Sequence, residues 1–355
     1  MNSFGRLFRV SIYGESHGTS VGVLLDGVKP GIPLCEDDFI SDIERRKAGK
    51  KGTTTRVEAD CVNIESGVFN GHTTGSPIML RFLNTNTKSK DYSNLVTHPR
   101  PSHADFVAEK KYDGYQDYRG GGHFSGRLTV GLVAAGVVAK KMLSGVTFNT
   151  NLVNLGGCTN PLEFDSILSK VIEAKDSVGG VVSICVNGLP VGLGEPYFDS
   201  LESTIAHLLF SVGAVKGVEF GAGFNGVNML GSEFNDMIID EKGKTSTNHN
   251  GGINGGISNG NSLIVKAFVK PTPSIFKEQN TYSFNTHSVE PLKIEGRHDA
   301  AIVLRAMVVL EACVAIALAD AMLINNAMKK WCEKHIIFLI FINDTIWINK
   351  TKEIN

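Results

Sequence analysis

Short segments along the chain show either alternation of hydrophobic and polar residues or clusters of β-branched residues. Both patterns are typical of strands, because successive side chains of a strand point to opposite faces of a sheet. The segments with this pattern are residues 7–13, 21–26, 78–83, 181–186 and 263–269. The pattern therefore predicts strands that are distributed over most of the chain.

Longer segments with helical spacing lie between and after these strands. They are residues 36–46, 125–143, 199–210 and 300–330. Ser125 is a predicted N-cap of the second segment, and Asp199-Ser200-Leu201-Glu202 is a predicted capping box of the third. The last segment is rich in Ala, Val and Leu and is apolar nearly all round, which predicts a core helix that packs on more than one side.

The chain shows no repeat, linker or sharp change of composition before about residue 330. We therefore expect one domain of intertwined helices and strands over residues 1–330, followed by a tail over residues 331–355. The apolar run at 336–342 is too short to span a bilayer as a helix. A tail that packs on the surface or is disordered is one interpretation, and a strand that contacts another subunit is the alternative.

Composition narrows the classes of function. The chain has 355 residues, of which 42% are hydrophobic and 20% charged, and a formal net charge of -1. Such a balance gives no overall field that would favour nucleic acid or a membrane surface. The six cysteines form no Cys-x-x-Cys pair and no histidines have metal-ligand spacing, so we predict reduced thiols, a cytoplasmic protein and no metal site.

Basic residues are concentrated near residues 45–56 and recur as single arginines beside Gly, Pro, His or Asp. The recurring arginines are Arg100, Arg119, Arg127, Arg297 and Arg305. Guanidinium groups bind phosphate and carboxylate in bidentate fashion, so converging arginines indicate a small ligand with several negative charges. A solvated helix end explains residues 45–56 equally well. A nucleic-acid module is disfavoured, because the interleaved aromatic residues of a single-strand platform are missing.

Two histidines and two glycine-rich segments are the other candidates for chemistry. His17 lies in Gly-Glu-Ser-His-Gly at residues 14–18, and His103 follows Arg100. Imidazole is the usual group for proton transfer near neutral pH. The spacing around Ser16 differs from the Gly-x-Ser-x-Gly of a nucleophile elbow, which excludes a serine hydrolase of that type. The glycine-rich segments 119–125 and 250–260 could cradle a phosphate or form tight turns.

Residues 14–18, 100–105 (Arg-Pro-Ser-His-Ala-Asp) and 296–299 (Gly-Arg-His-Asp) resemble the three active-site motifs of the chorismate synthase family, in that family's order. The resemblance extends over about residues 4–325. It implies an α+β fold of the β-α-β sandwich type, with helices between two antiparallel sheets, and a homotetramer that uses reduced FMN. The implied reaction is the 1,4-anti elimination of phosphate from 5-enolpyruvylshikimate 3-phosphate. The product is chorismate, and this lyase reaction is the last common step of the shikimate pathway to the aromatic amino acids.

The resemblance also implies roles for individual residues. His17 matches the histidine that protonates the departing phosphate, and His103 matches the one that protonates the reduced flavin. Asp299, with Ser16, matches the pair that helps the flavin to accept the C6 proton of the substrate. Positions that match FMN contacts are His123, Phe124, Ser125, Gly213, Ala214, Gly255, Lys270, Pro271, Thr272, Pro273, Ser274 and Arg297. Positions that match contacts to the substrate or to NADP are Arg45, Arg46, Lys51 and Arg127.

The chain departs from the family at one motif. The usual Gly-Gly-Gly-Arg-Ser-Ser-Ala-Arg-Glu-Thr is replaced by residues 120–129, in which His123, Phe124 and Leu128 stand for the arginine, the first serine and the glutamate. A non-catalytic homologue that binds FMN or another anion is therefore the alternative hypothesis. The reductant of the flavin is also open between NADPH, oxidised by the protein itself, and an external reductase.

Overall fold

The computed structural model describes residues 2–55, 58–86, 95–294, 296 and 298–352, with residues 330–352 described by their backbone alone. The strands are β1 (Ser3–Phe4), β2 (Arg9–Gly14), β3 (Ser20–Asp26), β4 (Asn63–Ile64), β5 (Val68–Phe69), β6 (His72–Thr73), β7 (Ile78–Leu83), β8 (Thr147–Leu155), β9 (Gly180–Asn187), β10 (Val215–Phe220), β11 (Ile253–Asn254), β12 (Ile257–Ser258), β13 (Leu263–Val269), β14 (Gln279–Ser283) and β15 (Ser288–Leu292). The α-helices are α1 (Ile40–Arg46), α2 (Asp105–Lys111), α3 (Thr129–Met142), α4 (Phe164–Glu173), α5 (Leu201–Ser211), α6 (Gly231–Phe234) and α7 (Val303–Lys352).

Two antiparallel sheets form the outer layers. One has the strand order β1-β2-β3-β7-β4 and the other the order β10-β13-β9-β8. Alternate residues of β7, namely Ile78, Leu80 and Phe82, are fully buried, and β9 and β13 show the same alternation. Each sheet therefore has one face in the core, as the period-two pattern predicts.

Helices fill the space between the sheets. Helix α3 contacts β3 and α7, whereas α7 contacts β8, β9 and α5. The two central helices approach closely at Gly136, because a Cβ atom added there would lie 2.3 Å from the Cβ atom of Ala312. This layered arrangement is the predicted α+β sandwich.

The helix starts agree with the sequence pattern in part. The hydroxyl of Ser125 accepts a hydrogen bond from the backbone N–H of Arg127, so Ser125 caps the short 3-10 turn at Gly126–Leu128 that leads into α3 and not α3 itself. The capping box at Asp199 was placed one residue too early. Ser200 is the N-cap of α5, since its hydroxyl accepts from the N–H of Ser203 and so satisfies one of the free N–H groups of the first turn.

Helix α7 is the core helix that its composition predicts. Residues 303–329 are long and apolar enough to cross a membrane, but most of this stretch is buried within the protein. The backbone stays helical beyond residue 330 to Lys352. The alternative of a strand at 336–342 is therefore wrong, whereas the division at residue 330 and the packing of the tail stay predictions.

Candidate active site

The turn at residues 14–18 directly follows β2 and carries the first histidine motif. Gly14 has a φ of +96°, and the N–H of Ser16 donates to the carbonyl of Gly122 at 3.1 Å. The side-chain amide of Asn84 donates to the carbonyls of residues 15 and 18 at 3.0 and 2.9 Å. Ser16 and His17 are consequently buried in a turn that is held from two sides.

Gly120 and Gly121 lie against both motif histidines. Both glycines have positive φ angles, of +59° and +81°. A Cβ atom on Gly120 would lie 2.6 Å from Nε2 of His17 and 2.8 Å from Oγ of Ser16, and one on Gly121 would lie 3.4 Å from Cε1 of His103. Any side chain at Gly120 would therefore displace the imidazole of His17, which explains the glycines by close approach. The structure thus brings Ser16, His17 and His103 together.

His103 is held by a buried ion pair. Its Nδ1 atom lies 2.6 Å from Oδ1 of Asp105, and Arg100 donates from Nε and Nη2 to the two oxygens of the same carboxylate at 2.8 Å each. Burial alone would raise the pKa of Asp105, but the bonds from Arg100 and His103 outweigh it and hold this pKa well below its ordinary value. Asp105 is therefore ionised at neutral pH and fixes the ring of His103.

The protonation of His103 follows from the same surroundings. Burial lowers the pKa of His103, the positive charge of Arg100 lowers it further, and Asp105 opposes both effects. The ionised carboxylate of Asp105 can only accept, so in the neutral imidazole Nδ1 carries the proton, with Nη2 of Arg100 also 2.9 Å away, and the lone pair is on Nε2, on the edge next to Gly121. His103 can take up a proton and release it at Nε2.

A second buried cluster is centred on Arg46. This side chain donates from Nε to the hydroxyl of Thr129 at 3.0 Å and from Nη2 to the carbonyl of Gly126 at 2.8 Å. It also pairs with Asp60 at 3.3 Å, and Arg127 pairs with the other oxygen of that carboxylate. Two guanidinium groups therefore share one buried carboxylate.

Asp299 and Arg305 extend this cluster. Asp299 accepts from the N–H of Thr54 at 2.9 Å and from Nη1 of Arg305 at 3.1 Å, and Nε of Arg305 donates to the carbonyl of Arg46 at 3.0 Å. Burial and the nearby charges of Arg305 and Arg127 lower the pKa of Arg46 to about 9. The excess of guanidinium over carboxylate groups makes this cluster a place where an anion is favoured.

Residues 119–128 connect the two clusters. The glycines of this segment contact the two histidines, its Gly126 carbonyl accepts from Arg46, and Arg127 is part of it. Asn84 adds a further link, because its Oδ1 atom accepts from Nε of Arg127 at 2.9 Å while its amide holds the turn at residues 14–18. Proton-transfer groups and anion-binding groups thus surround one short segment.

A cavity of about 760 Å³ opens beside His103 and contains part of the predicted cofactor set. His103, His123 and Phe124 all line it. Nδ1 of His123 donates to the carbonyl of Gly14 at 2.8 Å, and its Nε2 atom lies 3.1 Å from Oδ1 of Asn2. His123 therefore connects the wall of the cavity, by a hydrogen bond, to the turn that carries the first histidine motif.

The segment 270–274 reaches the same region from the second sheet. Nζ of Lys270 donates to the carbonyl of Ser102 at 2.8 Å, and the hydroxyl of Ser274 accepts from Nη1 of Arg100 at 3.1 Å. The N–H of Lys270 also donates to the carbonyl of Ala214 at 2.9 Å. This segment, with Ala214 and the adjacent Gly213, therefore approaches the loop of His103.

Gly255 was also predicted to contact FMN, but within this chain it lies apart from Gly213 and Lys270. It lies in the turn between β11 and β12, and the carbonyl of its neighbour Gly256 accepts from the N–H of Leu201 at the start of α5. Gly213 follows the other end of α5, a helix of 11 residues, or roughly 16 Å at 1.5 Å per residue.

Two predicted binding residues are engaged elsewhere. Arg45 pairs with Glu311 at 2.6 Å and with Asp42 at 2.9 Å, and Lys51 pairs with Asp165 at 2.7 Å in an exposed position. Arg297 lies outside the described residues. Within the described ranges, no group of three or more His, Cys, Asp or Glu side chains is suited to hold a metal ion.

Several residues of the site escaped the sequence patterns. Asp105 lies in a recognised motif, so its position could have suggested it, and Arg305 is one of the arginines that the sequence already indicated. Asp60 and Asn84 belong to no motif, and their roles come from contacts with Arg127 over 67 and 43 residues of chain. A single sequence carries no local signal for such partners.

Comparisons with known proteins identify the family to which this chain is similar. A family model described as chorismate synthase matches residues 8–323. A relative from Chitinophaga pinensis named chorismate synthase is 58% identical over 331 residues, which cover 93% of this chain and 99% of the relative. Another of that name, from Agathobacter rectalis, is 44% identical over 355 residues and covers 92% and 96% of the two chains.

A solved structure supports the fold independently. It is titled "Crystal Structure of Chorismate Synthase", has a TM-score of 0.69 and 28% sequence identity, and the match covers 90% of this chain and 93% of that one. The predicted fold class and the predicted family are both confirmed. The chain belongs to the chorismate synthase family, a family of carbon–oxygen lyases.

Proposed function

We propose that the chain catalyses the 1,4-anti elimination of phosphate from 5-enolpyruvylshikimate 3-phosphate, which yields chorismate. The observation that carries the proposal is the segment 119–128, whose glycines contact His17 and His103 and whose Arg127 belongs to the buried arginine cluster. A phosphate leaving group needs both anion-binding groups and a proton donor. The names and the extent of similarity of the relatives support a catalytic protein rather than a non-catalytic homologue.

The arginine cluster provides the binding of the anionic substrate. The substrate has one phosphate and two carboxylates, and Arg46, Arg127 and Arg305 are balanced by only two carboxylates within the cluster. Arg305 is the most exposed of the three side chains, and the negative charges of a ligand beside it would offset the excess positive charge of the buried cluster. Rigid contacts to Thr129 and the Gly126 carbonyl fix Arg46 before the ligand binds.

The two histidines provide the proton transfers. His17 protonates the departing phosphate, which makes it a better leaving group, and Ser16 lies in the same turn. His103 would donate a proton from Nε2 to a bound reduced flavin, with Asp105 stabilising the protonated ring during the transfer. Asp299, held by Arg305 and Thr54, would act with Ser16 to help a bound flavin accept the C6 proton of the substrate.

The residues present fit FMN as the cofactor. The cavity beside His103, of about 760 Å³, falls within the usual range of ligand sites and has aromatic walls. Gly121, on the His103 edge of this cavity, has a φ of +81°, a backbone conformation that residues with a side chain rarely adopt. His123 and Phe124, which line this cavity, would hold the group, and Lys270 contacts the carbonyl of Ser102 in the neighbouring loop. Bound in its reduced form, FMN supplies transient electron donation that assists the loss of phosphate.

A homotetramer is the proposed assembly. Apolar side chains that are largely exposed cluster between β10 and β11, and they are Phe224, Val227, Leu230, Met237 and Ile238. Several exposed large apolar side chains within one short segment are typical of a subunit interface. Sedimentation velocity of the purified chain tests this assembly, and a single monomeric species at micromolar concentration would contradict it.

The proposed location of the protein is the cytoplasm, and the proposed reductant of its flavin is NADPH. The cysteines with described side chains are all free thiols, which suits a reducing compartment. Oxidation of NADPH by the FMN-loaded protein, with no other enzyme present, tests whether the chain reduces its own flavin. If NADPH is not consumed, an external reductase has to supply the reduced flavin.

The catalytic roles are tested with an anaerobic phosphate-release assay and two variants. His17→Ala and His103→Ala should each lose most of the turnover, about 10²-fold or more, while their circular dichroism matches the wild type. Cys61→Ala, at an exposed thiol, serves as the matched control and should keep normal turnover. Wild-type rates in both histidine variants would show that the proton donors are assigned wrongly. Flavin binding by the wild type without phosphate release would instead favour the non-catalytic homologue.

A further inference from the structure

Four aromatic rings form two pairs in the wall of the cavity beside His103. Tyr112 and Phe124 have ring centroids 6.2 Å apart at 56°, and Phe106 and Phe284 stack at 5.9 Å with an angle of 7°. The pairs come from different parts of the chain, since Phe124 ends the glycine turn and Phe284 follows β14. Their common cavity is therefore built by the tertiary fold.

The rings of the first pair are only half covered by protein. Phe124 is 44% exposed and Tyr112 is 45% exposed, although the turn that carries Phe124 is otherwise part of a buried site. Leaving aromatic surface of this size in water is unfavourable, and a flat apolar ligand would cover it. The edge of His103 and the ammonium group of Lys110, 5.8 Å from the Phe284 ring centroid, add polar contacts to the same cavity.

We propose that Phe124, with Tyr112, forms the contact face for the flat ring system of the flavin. The inference rests on the proposed use of FMN and deepens it. Phe124 stands where the family motif has a serine, and a phenyl ring supplies apolar contact that a hydroxymethyl group cannot. The replacement at this position then adds an aromatic contact to the ring.

Titration of the full-length protein with oxidised FMN, followed by flavin fluorescence, tests this contact. Phe124→Ser should raise the Kd about tenfold, which corresponds to about 1.4 kcal/mol. Phe124→Tyr keeps a ring and should retain the wild-type Kd. Tyr112→Phe should also retain the Kd but brighten the bound flavin, because a phenol in contact quenches an excited flavin by electron donation and a phenyl ring does not. Phe69→Ser, at an exposed ring outside the cavity, is the matched control and should behave as the wild type.

The outcomes separate this inference from the proposed function. If the wild type releases phosphate but Phe124→Ser binds FMN as tightly as Phe69→Ser does, the inference alone is wrong. If Phe124→Ser changes the sedimentation coefficient but not the Kd, the ring contacts another subunit and the inference is again wrong. If the wild type neither binds FMN nor releases phosphate, the proposed function and the inference fail together.

Discussion

The buried carboxylate of Asp105 offers the sharpest test of how His103 works. In Asp105→Asn the shape is kept, but the negative charge 2.6 Å from Nδ1 of His103 is lost. Burial and Arg100 lower the pKa of His103, and Asp105 is the group that opposes them. Removal of this charge therefore lowers the pKa of His103 further. The protonated form, which is the proton donor, is then populated only at lower pH.

The size of the effect follows from the contact. A hydrogen bond to a charged group contributes about 1.5–3 kcal/mol, which corresponds to roughly a tenfold to hundredfold smaller protonated fraction at a fixed pH near neutrality. The assay is kcat/KM for phosphate release across pH 5–9. We expect kcat/KM near neutral pH to fall by about that factor and the limb that declines with rising pH to move to lower pH.

The stability of the variant has to be measured as well. Arg100 is buried and loses a charged partner, which costs about 3–5 kcal/mol in the free energy of unfolding when a buried pair is broken. Asp199→Asn, which breaks an exposed pair with Arg6, is the control and should change neither stability nor rate by much. A folded Asp105→Asn variant whose kcat/KM and declining limb match the wild type would refute the reasoning.

Two further predictions concern the scaffold that holds the site. Gly136→Ala should lower the free energy of unfolding by about 1–3 kcal/mol in urea titrations, because its new Cβ atom would lie 2.3 Å from that of Ala312. The double variant with Ala312→Gly should recover part of this loss, and purely additive losses would contradict a direct clash. Glu311→Gln should also destabilise the fold at pH 7. Burial alone would raise the pKa of Glu311, but bonds from Arg45 and Lys140 lower it to about 2 from an ordinary value of 4.5. The ionised carboxylate thus contributes its full stability above about pH 4.5 and loses it as the pH falls toward 2, so the difference from wild type should shrink over that window. A difference that grows on acidification would be incompatible with this ion pair.

The elements that could be predicted each satisfy a local pattern, whereas β8 and β10, half of the strands of the second sheet, were not predicted. β7 was predicted at residues 78–83 and spans Ile78–Leu83, since one face is buried along its whole length. Helix α7 was recognised by an apolar surface on all sides. The two-residue strands such as β5 and β11 were not predicted, because two residues show no period and their pairing depends on distant parts of the chain.

In the candidate site, too, residues in local motifs could be predicted, whereas roles that depend on packing could not. His17 and His103 were found because each lies in a compact motif, and contacts with one glycine segment bring them together. Arg45 and Arg46 are neighbours in sequence, yet successive residues of a helix point about 100° apart. Arg46 consequently points into the buried cluster and Arg45 toward Glu311, a difference that is clear only once α1 is packed.

The central claim is that one site in this chain removes phosphate with the help of a flavin that is not consumed. Anaerobic incubation of the wild-type protein with chemically reduced FMN and excess 5-enolpyruvylshikimate 3-phosphate measures this directly, with phosphate, chorismate and the flavin absorbance followed together. We predict one phosphate and one chorismate per substrate over many turnovers per flavin, with the flavin still reduced at the end. No phosphate release, or one oxidised flavin for every phosphate released, would contradict the account.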